Sequence, residues 1–143
     1  MCKLNKQKKE IIEETRVDAN GNVITVKKKV FKDKDGNEVI EEQITGADGK
    51  KYTVRTKVYK DSDGNEIIEE ETIDEFGNRV ITRRKKDKDG REIIEEIRID
   101  KDGNKTVIHR VVNKDGTVEE TIIDANGNVT KTKRKLGYFD KET

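Results

Sequence analysis

In this chain of 143 residues, charged side chains make up 44% and hydrophobic ones 29%, against an apolar share of about 45–50% in ordinary globular domains. With 4% aromatics and no Trp, a conventional dry core is hard to assemble. Lys and Arg total 32 against 31 Asp and Glu, a net charge of +1, so no global field draws the chain to nucleic acid or to an anionic membrane.

Met1 to Lys9 read as a basic N-terminal extension, residues 10–136 as a sheet of β-hairpin repeats, and residues 137–143 as a tail. Within the repeats an Asx-rich loop closes on Gly21, Gly36, Gly49, Gly64, Gly77, Gly90, Gly103, Gly116 and Gly127, most often 13 residues apart. Nine turns predict ten strands, and the spacing leaves no room for crossover helices. The expected fold is all-β: an antiparallel up-and-down meander of about ten strands, open and single-layered. Regular turns and many β-branched residues argue against disorder despite the polarity.

Along the chain the turns fall into two kinds. Asp33-Lys34-Asp35-Gly36, Asp61-Ser62-Asp63-Gly64, Asp87-Lys88-Asp89-Gly90 and Asn113-Lys114-Asp115-Gly116 lead from basic to acidic strands and suit a three-residue loop with glycine in the left-handed region. Ala19-Asn20-Gly21-Asn22, Ala125-Asn126-Gly127-Asn128 and their relatives lead from acidic to basic and suit the two-residue type I′ loop. Glu75-Phe76-Gly77-Asn78 fits that loop poorly, because Phe disfavours positive φ.

Loop length predicts register. Around Gly36 it pairs Lys32 with Glu38, Phe31 with Val39, Val30 with Ile40, Lys29 with Glu41 and Val26 with Ile44; around Gly64 it pairs Lys60 with Glu66, Tyr59 with Ile67 and Lys57 with Glu69. Around Gly21 the shorter loop sets Val17 against Ile24, Glu14 against Lys27 and Glu13 against Lys28. Carried across the sheet, the same arithmetic predicts a column Val54, Thr72, Ile81, Ile97, Ile108, Ile122 and a charge column Glu70, Arg83, Glu95, Arg110, Glu120, Lys133. Both faces are then striped, apolar beside charged, whereas a sheet that packs on a core shows one apolar face.

The alternating Lys/Glu strands and Asp-x-Asp-Gly turns resemble the central single-layer sheet of spirochaete outer surface proteins of the A type. The Val-Asp-Ala-Asn-Gly-Asn and Ile-Asp-Ala-Asn-Gly-Asn turns are similar to those of YD repeats in Rhs-type proteins, which have longer periods and tyrosines that this chain lacks. Both resemblances are architectural and assign no residue a role. The absence of Pro and Trp, the balanced charge and the complementary strands also match an idealised or designed meander.

Chemistry finds little footing. Aligning Gly36 with the glycine of an EF-hand loop puts Phe31 at its first position and Glu38 at its eighth, where a ligand and an apolar residue belong. Turn chemistry accounts for the Asx residues, with weak surface calcium binding as the alternative. His109, the single histidine, is expected mid-strand beside Glu96 and Thr121, and Cys2 has no histidine near it in sequence. Paired carboxylates such as Glu41/Glu42 and Glu69/Glu70 point to opposite faces. No catalytic, cofactor-binding or metal-ligating residue is assigned, no cofactor is expected, and the chain reads as non-enzymatic.

Basic clusters lie at Lys27–Lys29, Arg83–Lys86 and Lys131–Lys135. The last sits on an outer strand. It reads either as charge that guards a sheet edge or as a contact for an acidic surface such as tubulin, nucleic acid or a second copy. Leu136-Gly137-Tyr138-Phe139 is expected to cap that edge or to dock into a partner. No apolar run approaches the roughly 18 residues of a membrane span, Met1 to Glu10 lacks a signal peptide's apolar stretch, and a single cysteine favours a reducing intracellular compartment. The expected role is a scaffold acting through protein–protein contacts, by its edges or faces, in a larger intracellular, cytoskeletal or filamentous assembly. The alternatives are an idealised sheet with no partner and a ten-strand barrel around a small ligand.

Overall fold

In the computed structural model, which describes residues 10–135, ten strands follow one another as β1 (Glu10–Val17), β2 (Val23–Lys32), β3 (Glu38–Thr45), β4 (Lys51–Lys60), β5 (Glu66–Asp74), β6 (Arg79–Lys86), β7 (Glu92–Ile99), β8 (Lys105–Val112), β9 (Thr117–Ile123) and β10 (Val129–Lys135). Each pairs antiparallel with the next, giving one sheet in sequence order. Among the described residues β1 and β10 do not meet, so the sheet is not a barrel. Nor does any described helix have the length and apolarity to cross a membrane. Cys2, the rest of the N-terminal extension and the Leu136-to-Phe139 segment lie outside the described residues.

All nine turns share one geometry. The glycine N–H donates to the carbonyl three residues earlier, as in Gly36 to Asp33 at 3.0 Å and Gly21 to Asp18 at 3.0 Å. The loop closes where Asp33 N–H donates to Asn37 O and Asp18 N–H to Asn22 O, each at 2.9 Å. Each of these glycines has φ between 81° and 94°, the left-handed region that other L-residues enter at a cost of about 1–2 kcal/mol. The loops are therefore three residues long everywhere, and the two-residue loop expected at Gly21 and its relatives is wrong.

The reason is an aspartate at the first position of seven turns: Asp18, Asp33, Asp61, Asp74, Asp87, Asp100 and Asp124. Its Oδ1 accepts the N–H groups two and four residues on, at 2.9 and 2.9 Å for Asp18 and at 2.9 and 3.0 Å for Asp61. An Asx turn of this kind satisfies donors that the three-residue loop leaves over. Phe76 fits without strain because only Gly77 carries the positive φ of that turn; its N–H donates to Asp74 Oδ1 at 2.9 Å.

The corrected loops move the register by one residue at every turn of the second kind. Val17 faces Val23, Glu14 faces Val26 and Glu13 faces Lys27. Thr72 faces Val80, not Ile81, and Ile97 faces Val107, not Ile108. The pairs expected around Gly36 and Gly64 stand as read. A three-residue loop pairs residues of equal parity. All odd-numbered strand residues consequently share one face of the sheet and all even-numbered ones the other.

The core is thin. Val26 and Val118 on the even face are 0% and 1% exposed, and Val39 on the odd face 6%. Many other apolar side chains are half-buried between charged neighbours, as in Val30–Ile40 and Ile108–Ile122, while others, among them Ile11, Val58, Ile68, Phe76 and Val129, are exposed. One register line on the odd face is ionic in β2–β5 (Lys29, Glu41, Arg55, Glu71) and apolar in β6–β10 (Ile81, Ile97, Val107, Ile123, Val129). Long basic and acidic stems cover the flanking methyl groups along such stripes.

Candidate functional site

On the odd face β2 to β6 carry a continuous ion-pair network. Glu41, 6% exposed, accepts Arg55 Nε at 2.6 Å and meets Lys29 Nζ at 3.1 Å. Arg55 continues to Glu71 at 3.4 Å, and Arg79 reaches the same Glu71 at 2.5 Å. Burial pushes the Glu41 carboxyl up, but the Arg55 and Lys29 bonds outweigh it and hold it below the usual glutamate range.

The neighbouring line binds Arg83 between Glu69 at 2.9 Å and Glu95 at 2.8 Å. Those bonds raise the guanidinium further above its already high range, the Glu69 bond most. Tyr59 Oη donates to Glu69 Oε1 at 3.1 Å, and burial together with that carboxylate raises the phenol. Lys57 Nζ lies 5.2 Å from the Tyr59 ring centre and 3.4 Å from Asp33 Oδ2. Lys85 meets Asp61 at 3.1 Å in the same way two strands on. Both lysines reach a turn at the end of the sheet where basic strands give way to acidic ones.

The turn aspartates are engaged internally. Asp33 sits below the ordinary aspartate range chiefly through the Asn37 N–H, and Asp61 chiefly through Lys85. Asp74 and Asp100 are lowered first by the side-chain amides of Asn78 and Asn104. These bonds account for the Asp that opens seven of the nine loops; in the other two, Asp48 and Asp115 accept the N–H groups of Lys50 and Thr117. Among the described residues no group of three or more His, Cys, Asp or Glu side chains is placed to hold a metal ion.

His109 lies exposed on the odd face opposite Glu95 and Thr121; the expected neighbour Glu96 is displaced by the one-residue shift. Glu41 and Glu42 do part to opposite faces: Glu41 joins Lys29 and Arg55, while Glu42 meets Arg16 at 3.0 Å. In the Arg83–Lys86 cluster only Arg83 and Lys86 face glutamates, whereas Arg84 and Lys85 face Ile94 and Ile93. Hollows on the odd face are open grooves, such as one of about 390 Å³ lined by Ile11, Glu13, Lys27, Lys29, Glu41 and Gln43. An open, charge-lined groove holds water around any guest and lacks the enclosed apolar walls of a small-molecule site.

The sequence reading places Asp33, Asp61 and Asp87 at the opening of their loops, but it misses the same role for Asp18, Asp74, Asp100 and Asp124, although each also precedes its turn glycine by three residues. Comparison with protein-family models, curated proteins and solved structures finds no match.

Proposed function

We propose that this chain is a non-enzymatic structural protein: a rigid single-layer sheet that acts as a spacer or lining through protein–protein contacts in a larger intracellular, filament-like assembly. One observation carries the reading. Ten strands form one open layer: the odd face carries continuous ion-pair lines, the even face carries separate pairs such as Arg16–Glu42 and Arg110–Glu120, and half-buried apolar residues lie on both. Such a layer has extended area and two edges, which suit contacts along its length better than enclosure of a substrate.

The test is a spin-label distance between Ile11→Cys and Val129→Cys in a Cys2→Ser background. These residues end the same register line and are 71% and 55% exposed. Nine strand spacings of about 4.8 Å predict a separation of about 43 Å. A single narrow distance near that value supports a rigid spacer. A broad distribution overturns it.

A second reading, an idealised sheet without a partner, is favoured by the uniform turns and by full pairing of buried side-chain polar atoms among the described residues. It predicts the same rigid distance and no association at any concentration.

A further inference from the structure

We propose that copies of this chain join head to tail, β10 of one against β1 of the next, so that the sheet grows by ten strands per copy. The proposal rests on the structural-protein reading and names its first partner as the chain itself. Four features of the two outer strands converge on it.

The first is direction. Strands alternate along the sheet, so with an even number of them β10 runs opposite to β1. A β10–β1 contact between copies therefore continues the antiparallel order. Among the described residues each outer strand pairs on one side only, leaving a row of donors and acceptors on the other.

The second is charge. β1 carries Glu13 and Glu14, and β10 carries Lys131, Lys133, Arg134 and Lys135. Acidic and basic strands alternate inside the sheet, as β2 with β3 and β6 with β7, and a β10–β1 joint keeps that alternation. Two β10 edges, or two β1 edges, would set like charges opposite one another, which is destabilising. The same lysines that guard the edge against its own kind thus select an acidic edge.

The third is hydrogen-bond phase. Asp18 N–H donates to Asn22 O at 2.9 Å and Asp124 N–H to Asn128 O at 3.0 Å, so the bonded pairs next to both turns fall on even residues. Bonded and non-bonded pairs alternate along an antiparallel ladder. Odd residues of β1 and of β10 therefore turn their N–H and C=O groups outward.

The fourth is register. Ile11 to Val17 (Ile-Ile-Glu-Glu-Thr-Arg-Val) nearly repeats Ile93 to Ile99 of β7 (Ile-Ile-Glu-Glu-Ile-Arg-Ile), and Lys133-Arg134-Lys135 occupies the place of Arg83-Arg84-Lys85 in β6. Transferring the β6–β7 pairing to the joint sets Val129 against Val17, Lys131 against Thr15, Lys133 against Glu13 and Lys135 against Ile11. These are odd with odd, the outward-bonding residues on both edges, and they keep one face of the sheet continuous. Lys133–Glu13 takes the role of Arg83–Glu95, an ion pair at 2.8 Å. A joint of this kind uses different surfaces on the two copies and has no built-in stop, so it produces filaments or rings.

The test is sedimentation velocity of the full chain over a dilution series, on the wild type, Glu13→Lys, Lys133→Glu, the double reversal in one chain, and an equimolar mixture of the two single variants. Wild-type association beyond two copies is expected to weaken about tenfold in each single variant. It should return in the double variant and in the mixture, where each altered edge finds its complement. A chain that is monomeric at every concentration, one that stops at two copies, or one in which the double reversal fails to restore association overturns the proposal. A monomer that still gives the narrow Ile11–Val129 distance leaves the spacer reading intact, so the two fail separately.

Discussion

Glu41→Gln is the sharpest perturbation of the ionic half of the sheet. The carboxylate is 6% exposed and bonded to Arg55 Nε at 2.6 Å and to Lys29 Nζ at 3.1 Å. Charge-assisted hydrogen bonds contribute about 1.5–3 kcal/mol each, and breaking a fully buried pair costs about 3–5. Here the partners are only partly covered, with Lys29 33% and Arg55 43% exposed at the side chain. Water recovers much of their charge, so the expected loss is about 2 kcal/mol.

That loss corresponds to about a 30-fold change in the folding equilibrium and, for a urea m-value of about 2 kcal/mol/M, to a midpoint lower by about 1 M. Urea titration followed by far-ultraviolet circular dichroism reads it. Glu70→Gln is the control, since Glu70 is exposed on the even face and holds no ion pair among the described residues. Its stability should stay within about 0.5 kcal/mol of wild type. Equal losses in the two variants would refute the argument that burial, rather than mere charge alternation, gives Glu41 its weight.

Other consequences follow from the turns and the register. In a Cys2→Ser background, Val17→Cys with Val23→Cys should oxidise to a disulfide, whereas Val17→Cys with Ile24→Cys should not, because Val17 faces Val23 and Ile24 is turned to the other face; the reverse outcome restores the shorter loop. Gly64 has φ +83° and open space around it, so Gly64→Val should lower thermal stability by about 1–2 kcal/mol through backbone strain alone, and Gly64→Asn by less. Asp18, Asp33, Asp74, Asp100 and Asp124 titrate below the ordinary range chiefly because the native turn bonds favour the carboxylate, and Asp61 does so chiefly through Lys85 and then through its turn bonds. Their stabilisation is full above the unfolded value of about 3.9 and is lost as pH falls through the lower folded values. The melting temperature should therefore drop steeply below about pH 4; a flat profile to the acid extreme would refute the role of the Asx turns.

Much of the fold was legible in the chain because turn chemistry and strand alternation are local. Nine Asx-glycine loops marked ten strands, and the Asp-x-Asp-Gly loops supplied correct pairings such as Lys29 with Glu41 and Tyr59 with Ile67. At the other end of the sheet Asn20-Gly21 and Asn126-Gly127 match the two-residue loop just as well when viewed alone. The deciding contact begins one residue further back, where Asp18 and Asp124 each accept two backbone N–H groups only once the loop has closed. Because side chains alternate with a period of two, that single residue exchanged the partners across every second strand junction. It moved Arg83 from a line with Glu70 to one with Glu69, and His109 from Glu96 to Glu95.

The sequence by itself therefore determined the number of strands, their antiparallel order and the alternation of acidic with basic strands, since each follows from a few adjacent residues. Only the tertiary structure decided which charges join into networks and that odd and even residues divide cleanly between the two faces. Those outcomes accumulate over many turns, and one residue of loop length at each changes them all.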